Sequence, residues 1–165
     1  MKTLYLVRHA KSSWKDLSLK DIDRPLNKRG MRDAPFMGKL MHRKGIFPDK
    51  IITSPAKRAQ LTAKEFALQL GYQWDNTQVL ATIYEASAYD LVNIVQHLDD
   101  QWQEVMLFGH NPSYTVFTNF YAIPELDNVP TGAVVAIQFP VDTWAAVTPK
   151  NGQLHFFEYP RQYFP

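Results

Sequence analysis

Leu4-Tyr5-Leu6-Val7 is a short apolar run that passes directly into the charged pair Arg8-His9. Its length and its β-branched and aromatic content are typical of a buried strand. Two further short apolar runs end in polar turns in the same way: Lys50–Thr53 before Ser54, and Glu104–Phe108 before Gly109-His110-Asn111. This repetition predicts parallel strands whose carboxyl ends meet at one crevice of an open sheet.

The segments between these strands are predicted to be helical. Asn27 can cap the first helix, in which Gly30 and Pro35 predict a kink or a restart capped by Asp33, before an end near Gly45.

A second helix is predicted to run from Ser54, as its N-cap, to Leu70, with Gly71 as a left-handed C-cap. Further helices are predicted to begin near Ser87 and at Ser113 or Tyr114.

The last third of the chain has the pattern of β-strands and hairpins. Ala133–Phe139, Trp144–Val147 and Gln153–Tyr159 are rich in strand-forming residues. We therefore predict an α/β fold: a single three-layer α/β/α domain over residues 1–165, with a mostly parallel central sheet and antiparallel edge strands.

Composition excludes several classes of protein. A chain of 165 residues that is 45% hydrophobic can bury a sizeable core, and the absence of cysteine excludes disulfides, thiolate zinc sites and a cysteine nucleophile. The formal net charge of +2 is spread along the chain, so we expect no nucleic-acid partner. No apolar stretch is long enough for a membrane span or a signal peptide, and we expect a cytoplasmic protein without a membrane partner.

Four side chains at the predicted crevice point to phosphate chemistry. Arg8 and Arg58 offer planar donors suited to phosphate oxygens, and the start of the second helix adds unpaired N–H groups. His9 and His110 add a nucleophile or a proton carrier.

Each of these side chains also has an ordinary structural interpretation, as a core histidine or a solvated arginine. His9 and His110 could ligate a metal, but the chain has no HExxH motif and the neighbouring arginines would repel a divalent cation. Dinucleotide-binding and P-loop glycine motifs are absent as well.

These residues lie in motifs that resemble a known family. Leu6–Ala10 resembles the RHG/RHA signature of the histidine phosphatase superfamily, which has the phosphoglycerate-mutase-like fold, and Ser54–Ala63 resembles its SPxxRAxxTA segment. Gly109-His110-Asn111 resembles the turn of its second histidine. The segments 8–14, 23–30 and 130–135 are similar to the small SixA-type phosphohistidine phosphatases, and the likeness covers residues 1 to about 139.

The resemblance implies a covalent mechanism without metal or cofactor. His9 would be the nucleophile, and Arg8, Arg58 and His110 would bind the phosphoryl group as catalytic and substrate-binding residues. Ser12 matches a position whose hydroxyl also contacts phosphate. Glu85 falls about where larger relatives carry a general acid, although it could equally be a surface carboxylate.

The expected reaction is hydrolysis of phosphohistidine on a protein. A phosphatase of small phosphate esters and a non-catalytic phosphate-recognising module are the alternatives, and mutase activity fits a short chain less well. Two segments stay open: residues 10–26 could be a lid or a solvated loop, and Tyr159–Pro165 could pack on the domain or meet a partner.

Overall fold

The computed structural model describes residues 1–165 and contains one six-stranded sheet. Its strands are β1 (Lys2–Arg8), β2 (Lys50–Thr53), β3 (Gln78–Val79), β4 (Glu104–Gly109), β5 (Val134–Phe139) and β6 (Gln153–Glu158), in the order β3-β2-β4-β1-β5-β6. β3, β2, β4 and β1 are parallel, whereas β5 is antiparallel to β1 and to β6. The predicted mostly parallel sheet with antiparallel strands at one edge is confirmed.

Helices cover both faces of this sheet: α1 (Lys28–Arg43), α2 (Lys57–Leu70), α3 (Ala88–Gln96) and α4 (Ser113–Asn119). Successive residues of a strand point to opposite faces, and β1 shows this directly. Tyr5 and Val7 belong to the apolar cluster formed with α1 and α2, whereas Leu4 and Leu6 belong to the cluster formed with α3 and α4. The three-layer α/β/α architecture follows from this alternation and is confirmed.

The predicted restart within the first helix is wrong, because α1 is continuous from Lys28 to Arg43 with Pro35 inside it. The Asn27 side chain caps it by accepting from the backbone N–H of Gly30, as predicted. Asp33 caps nothing; it is buried and pairs with Arg32 at 2.8 Å. An interior proline costs about 3 kcal/mol, which is offset because α1 buries several large apolar side chains, each worth about 1.5–3 kcal/mol.

The second helix, α2, begins at Lys57, three residues after Ser54, which the sequence predicts as its N-cap. Its N-cap is Ala56, and Ser54 instead accepts a hydrogen bond from the N–H of Ala56 and lies against His110. The C-terminal prediction is confirmed, since Gly71 has the left-handed conformation with φ of 68°.

The predicted strand at Trp144–Val147 is also wrong, because residues 144–146 form a 3₁₀ turn. Trp144 is fully buried, and its indole N–H donates to the carbonyl of Trp102 at 2.8 Å. Burial of this one large side chain, rather than strand pairing, determines the local structure.

The edge strand β3 was not predicted from the sequence, whereas the remaining helices and strands agree with it. Ser87 caps α3 in a capping box with Asp90, and α4 begins at Ser113. None of the helices has the length and apolarity needed to cross a membrane.

Candidate active site

The three polar turns that follow β1, β2 and β4 are held together by backbone hydrogen bonds. The N–H of His9 donates to the carbonyl of Gly109 at 3.1 Å, and that of Ser54 donates to Phe108 at 2.9 Å. The rings of His9 and His110 consequently lie 5.3 Å apart, centroid to centroid. The three turns meet as expected from the strand pattern, and they bring the two histidines together.

His9 is positioned as a neutral imidazole with one free nitrogen. Its side chain is buried, and Nδ1 donates to the carbonyl of Ala10 at 2.8 Å, which leaves Nε2 without a hydrogen-bond partner. Burial lowers the pKa of His9 to about 3, and the nearby charges of Arg58 and Arg8 act in the same direction. At neutral pH the Nε2 lone pair is therefore available for attack on an electrophile.

His110 is oriented by Ser54. Ser54 Oγ lies 2.7 Å from His110 Nε2 and already accepts from the N–H of Ala56. We assign the hydroxyl proton to the contact with Nε2, and in this tautomer the ring proton of His110 lies on Nδ1. Burial, followed by the charge of Arg58, lowers the pKa of His110 to about 4, so this ring is also neutral at pH 7.

The two arginines reach the crevice from different elements. Arg8, at the end of β1, donates through Nη1 to the carbonyl of Val129 at 2.9 Å. Arg58, in the first turn of α2, is buried and donates through both Nη atoms to Asp21. Burial and the charge of Arg58 both lower the pKa of Arg8, which is the effect expected when two cations share a small space.

Three N–H donors in this cluster are buried without any partner: Arg8 Nε, Arg58 Nε and His110 Nδ1. Only one other buried side-chain polar atom in the protein lacks a partner, Thr77 Oγ1. Unpaired buried donors are costly and rare in folded proteins. Their concentration around His9 is suited to an oxyanion, such as a phosphoryl group, that would accept from all three.

Asp21 fixes the Arg58 guanidinium, and sequence reasoning missed this role. Its Oδ2 accepts from Arg58 Nη2 at 3.0 Å and from the hydroxyl of Tyr84 at 2.5 Å, while its Oδ1 accepts from Arg24 Nε at 3.1 Å. The Tyr84 hydrogen bond, followed by those from the two arginines, lowers the pKa of Asp21 to about 2. A permanent carboxylate therefore holds Arg58 from the outside of the crevice.

The segment of residues 10–26 contacts the site at its start, where Ala10 accepts from His9, and again at Asp21. Asp21 docks on Arg58 and Tyr84, whereas residues 14–21 are otherwise exposed, with Leu17 at 86% exposure. Closure of this segment over a substrate stays a prediction.

Ser12 and Glu85 are less closely tied to the cluster than the other four predicted residues. Ser12 is buried, and its hydroxyl accepts from Arg24 Nη1 at 3.0 Å. Glu85 is exposed, makes no hydrogen bond and has a φ of 65°, but it lines a cavity of about 380 Å³ together with Arg58 and His110.

Thr62 is a further residue that the sequence did not reveal. Its hydroxyl donates to the carbonyl of Arg58 at 2.8 Å and accepts from the N–H of Ala10 at 2.9 Å, so it ties α2 to the turn that carries His9. The SPxxRAxxTA spacing was the available signal, since it places this threonine one turn after Arg58 on the same helix face.

No group of three or more His, Asp or Glu side chains has the arrangement of a metal site.

Comparison with known proteins agrees with this geometry. An uncharacterised chloroplastic protein of Arabidopsis thaliana is 35% identical over 121 residues, which are 68% of this chain and 56% of that protein. A 2,3-bisphosphoglycerate-dependent phosphoglycerate mutase of Bartonella tribocorum is 30% identical over 118 residues, covering 70% of this chain and 57% of the mutase. The chain thus spans a little over half the length of both relatives.

The fold has well-defined counterparts among solved structures. The protein histidine phosphatase SixA in complex with tungstate superposes with a TM-score of 0.81 at 17% identity, over 97% of this chain and 98% of that one. The family model of the histidine phosphatase superfamily (branch 1) matches residues 4–111, a range that includes both histidines and both arginines. The chain therefore belongs to the histidine phosphatase superfamily.

Proposed function

We propose that this protein is a phosphatase that transfers a phosphoryl group from its substrate to Nε2 of His9 and then to water. The observation that carries this proposal is the set of buried donors without partners around a neutral imidazole. Arg8, Arg58 and His110 would supply those donors to the oxygens of the phosphoryl group, where negative charge must be stabilised during an in-line transfer.

The reaction would proceed in two balanced steps. In the first, the Nε2 lone pair of His9 forms a bond to phosphorus, and the bond to the leaving group breaks with its electron pair going to that group. The Nδ1–H bond to Ala10 keeps the ring in the tautomer this attack requires. In the second step, water attacks the phosphohistidine, releases inorganic phosphate and returns Nε2 to its starting state.

We propose a phosphohistidine residue of another protein as the substrate. An imidazole that carries a phosphoryl group can leave without a strong acid, whereas an alkoxide leaving group requires one. The only carboxylates lining the cavity beside Arg58 are Asp21, which is committed to Arg58, and Glu85, which is exposed and makes no hydrogen bond. The fold shared with a protein histidine phosphatase also supports this substrate.

Hydrolysis of a small phosphate ester is the second candidate. It is favoured by the position of Glu85 on the wall of the cavity that Arg58 and His110 line, where a carboxylic acid could reach a leaving oxygen.

The test compares phosphate release from a phosphohistidine protein and from phenyl phosphate, without added metal, by wild type and the His9→Ala variant. We expect His9→Ala to lower the rate by more than about 10³-fold, as loss of a nucleophile does. The matched control is His155→Ala, since His155 is exposed on β6, and it should keep wild-type rates. Wild-type turnover by His9→Ala would refute the mechanism, and tight phosphopeptide binding without phosphate release would indicate a recognition module.

A further inference from the structure

A second concave surface begins at Arg8 and shares no lining residue with the cavity that Glu85 lines. It has a volume of about 530 Å³, and four cationic side chains lie along it: Arg8, Lys11, Arg29 and Arg161. We call it the cationic groove. Asp127 is the only carboxylate along it.

Three parts of the chain supply these cations: residues 8–11, α1 and the C-terminal 3₁₀ turn. Arg8 ends β1, Lys11 follows in the next turn, and Arg29 lies in the first turn of α1. Arg161 comes from the 3₁₀ turn Pro160–Gln162 near the end of the chain. Residues this far apart in sequence share one groove only because the sheet and α1 bring them there.

The C-terminal segment is held in place against α1, which fixes the position of Arg161. Phe36 of α1 packs against Tyr163 and Phe164, with ring centroids 5.2 Å and 4.8 Å apart, and Pro160 is buried. Of the two interpretations of this segment, the structure shows packing on the domain.

The charges of the groove are largely uncompensated. Lys11 and Arg161 form no side-chain hydrogen bond and no ion pair. Arg29 donates to the hydroxyl of Thr131 at 3.4 Å, and its one ion pair is a distant contact with Asp33 at 4.0 Å, which Arg32 holds more closely. Unpaired cations around a concave surface create a positive potential that concentrates anions there.

We propose that the cationic groove binds a second anionic group of the substrate, a phosphate or carboxylate next to the phosphoryl group that reacts at His9. The inference rests on the proposed function, because Arg8 belongs both to the groove and to the cluster around His9. An anion seated on Lys11, Arg29 and Arg161 would share the guanidinium of Arg8 with the reacting phosphoryl group.

Two sources can supply this chemistry. One is a small molecule with a second phosphate; the other is a protein with acidic side chains beside its phosphohistidine. The first arm of the test therefore compares phenyl phosphate with resorcinol bisphosphate, and the second compares phosphohistidine peptides with acidic and with neutral flanking residues.

The variants are Arg161→Gln, Arg29→Gln and the double variant, with Arg43→Gln as the matched control. Arg43 is equally exposed but lies at the end of α1, away from the groove. We expect Arg161→Gln to raise KM about 5- to 10-fold for the substrate with the second anion, at unchanged kcat, because charge-assisted hydrogen bonds are lost only with that substrate. The KM of Arg161→Gln for the matched substrate without the second anion should stay at the wild-type value. For Arg43→Gln, kcat and KM should stay at wild-type values with every substrate.

The two substrate arms identify the source, since a larger effect with resorcinol bisphosphate indicates a small molecule and one with acidic peptides indicates a protein. Equal effects on both members of each pair, or no effect on any substrate, would overturn the inference.

A binding measurement separates this inference from the proposed function. In the His9→Ala background, calorimetry should show that Arg161→Gln weakens binding of resorcinol bisphosphate by the same factor and leaves phenyl phosphate unaffected. If wild type releases no phosphate but this difference in binding is found, the proposed function is refuted and anion binding in the cationic groove is supported. If wild type releases phosphate but Arg161→Gln binds resorcinol bisphosphate as tightly as its parent, only the inference about the cationic groove is refuted.

Discussion

Acidification from pH 7 to pH 5 should destabilise this protein through its two site histidines. Burial lowers the pKa of His9 to about 3 and that of His110 to about 4, whereas both return to about 6.5 in the unfolded chain. Below pH 6.5 the unfolded state therefore takes up protons that the folded state excludes. The free energy of unfolding must fall as the pH falls from 6.5 towards the folded pKa values.

The size of the effect follows from linkage. Between pH 7 and pH 5, the extra protons bound by the unfolded chain lower the free energy of unfolding by about 2 kcal/mol for each histidine. For both histidines together the loss is about 3–4 kcal/mol. The figure hardly depends on how far below 5 the folded pKa values lie, because both rings stay mostly neutral at pH 5 in any case. Asp21 has a pKa of about 2 in the folded protein, so its contribution to the free energy of unfolding is lost at pH values below 5. It therefore does not affect the comparison between pH 7 and pH 5.

Urea denaturation followed by tryptophan fluorescence at pH 7, 6 and 5 measures this loss. We expect the His9→Asn/His110→Asn double variant to lose less than about 1 kcal/mol over the same interval, because asparagine does not titrate. The control, His42→Asn/His97→Asn, removes two exposed histidines and should follow wild type.

A matching response to an oxyanion is expected. At pH 5, phosphate or vanadate should restore part of the lost stability, since a bound anion between the two arginines favours the imidazolium forms. If wild type and the His9→Asn/His110→Asn variant lose the same free energy between pH 7 and pH 5, the assignment of buried neutral histidines is refuted.

Three other changes test particular contacts. Gly30→Ala places a Cβ 2.2 Å from the carbonyl oxygen of Lys11, so urea denaturation should show a loss of about 1–3 kcal/mol; unchanged stability would contradict the tight fit. Asp21→Asn weakens the hold on Arg58, and steady-state kinetics should show kcat/KM reduced about 3- to 10-fold, whereas an increase would mean that Asp21 competes with phosphate. Glu85→Gln should leave phosphohistidine hydrolysis within about 2-fold of wild type and lower ester hydrolysis much more; equal losses in the two assays would make Glu85 part of both reactions.

The sheet and the crevice were predictable because short-range patterns encode them. Apolar runs that end in polar turns identified β1, β2 and β4, and parallel strands necessarily present those turns at the same edge. This reasoning located His9 and His110 in one place although they lie far apart in sequence. The same kind of local signal identified Ser87 and Gly71 as helix caps.

Other features depend on contacts that no local pattern contains. The continuous helix through Pro35 reflects packing of α1 against α2 and the sheet, which outweighs the local cost of proline. The sequence predicted Ser54 as a helix cap because a serine before a proline is typical of one, but its hydroxyl contacts His110, which follows another strand. The contact of Asp21 with Arg58 likewise joins a loop to a helix, and only the folded chain brings the two together.

The position of β1 in the middle of the sheet has a consequence for how the protein gains activity during folding. Thr3 pairs with Glu104 on one side and with Gln138 on the other, so both partners of the first strand lie more than 100 residues further along the chain. Such long-range pairing costs loop-closure entropy before any contact repays it, and it is typical of slow folding. The strand that leads into His9 therefore pairs fully only after most of the chain is available, and recovery of the proposed activity after refolding would report closure of the sheet around β1.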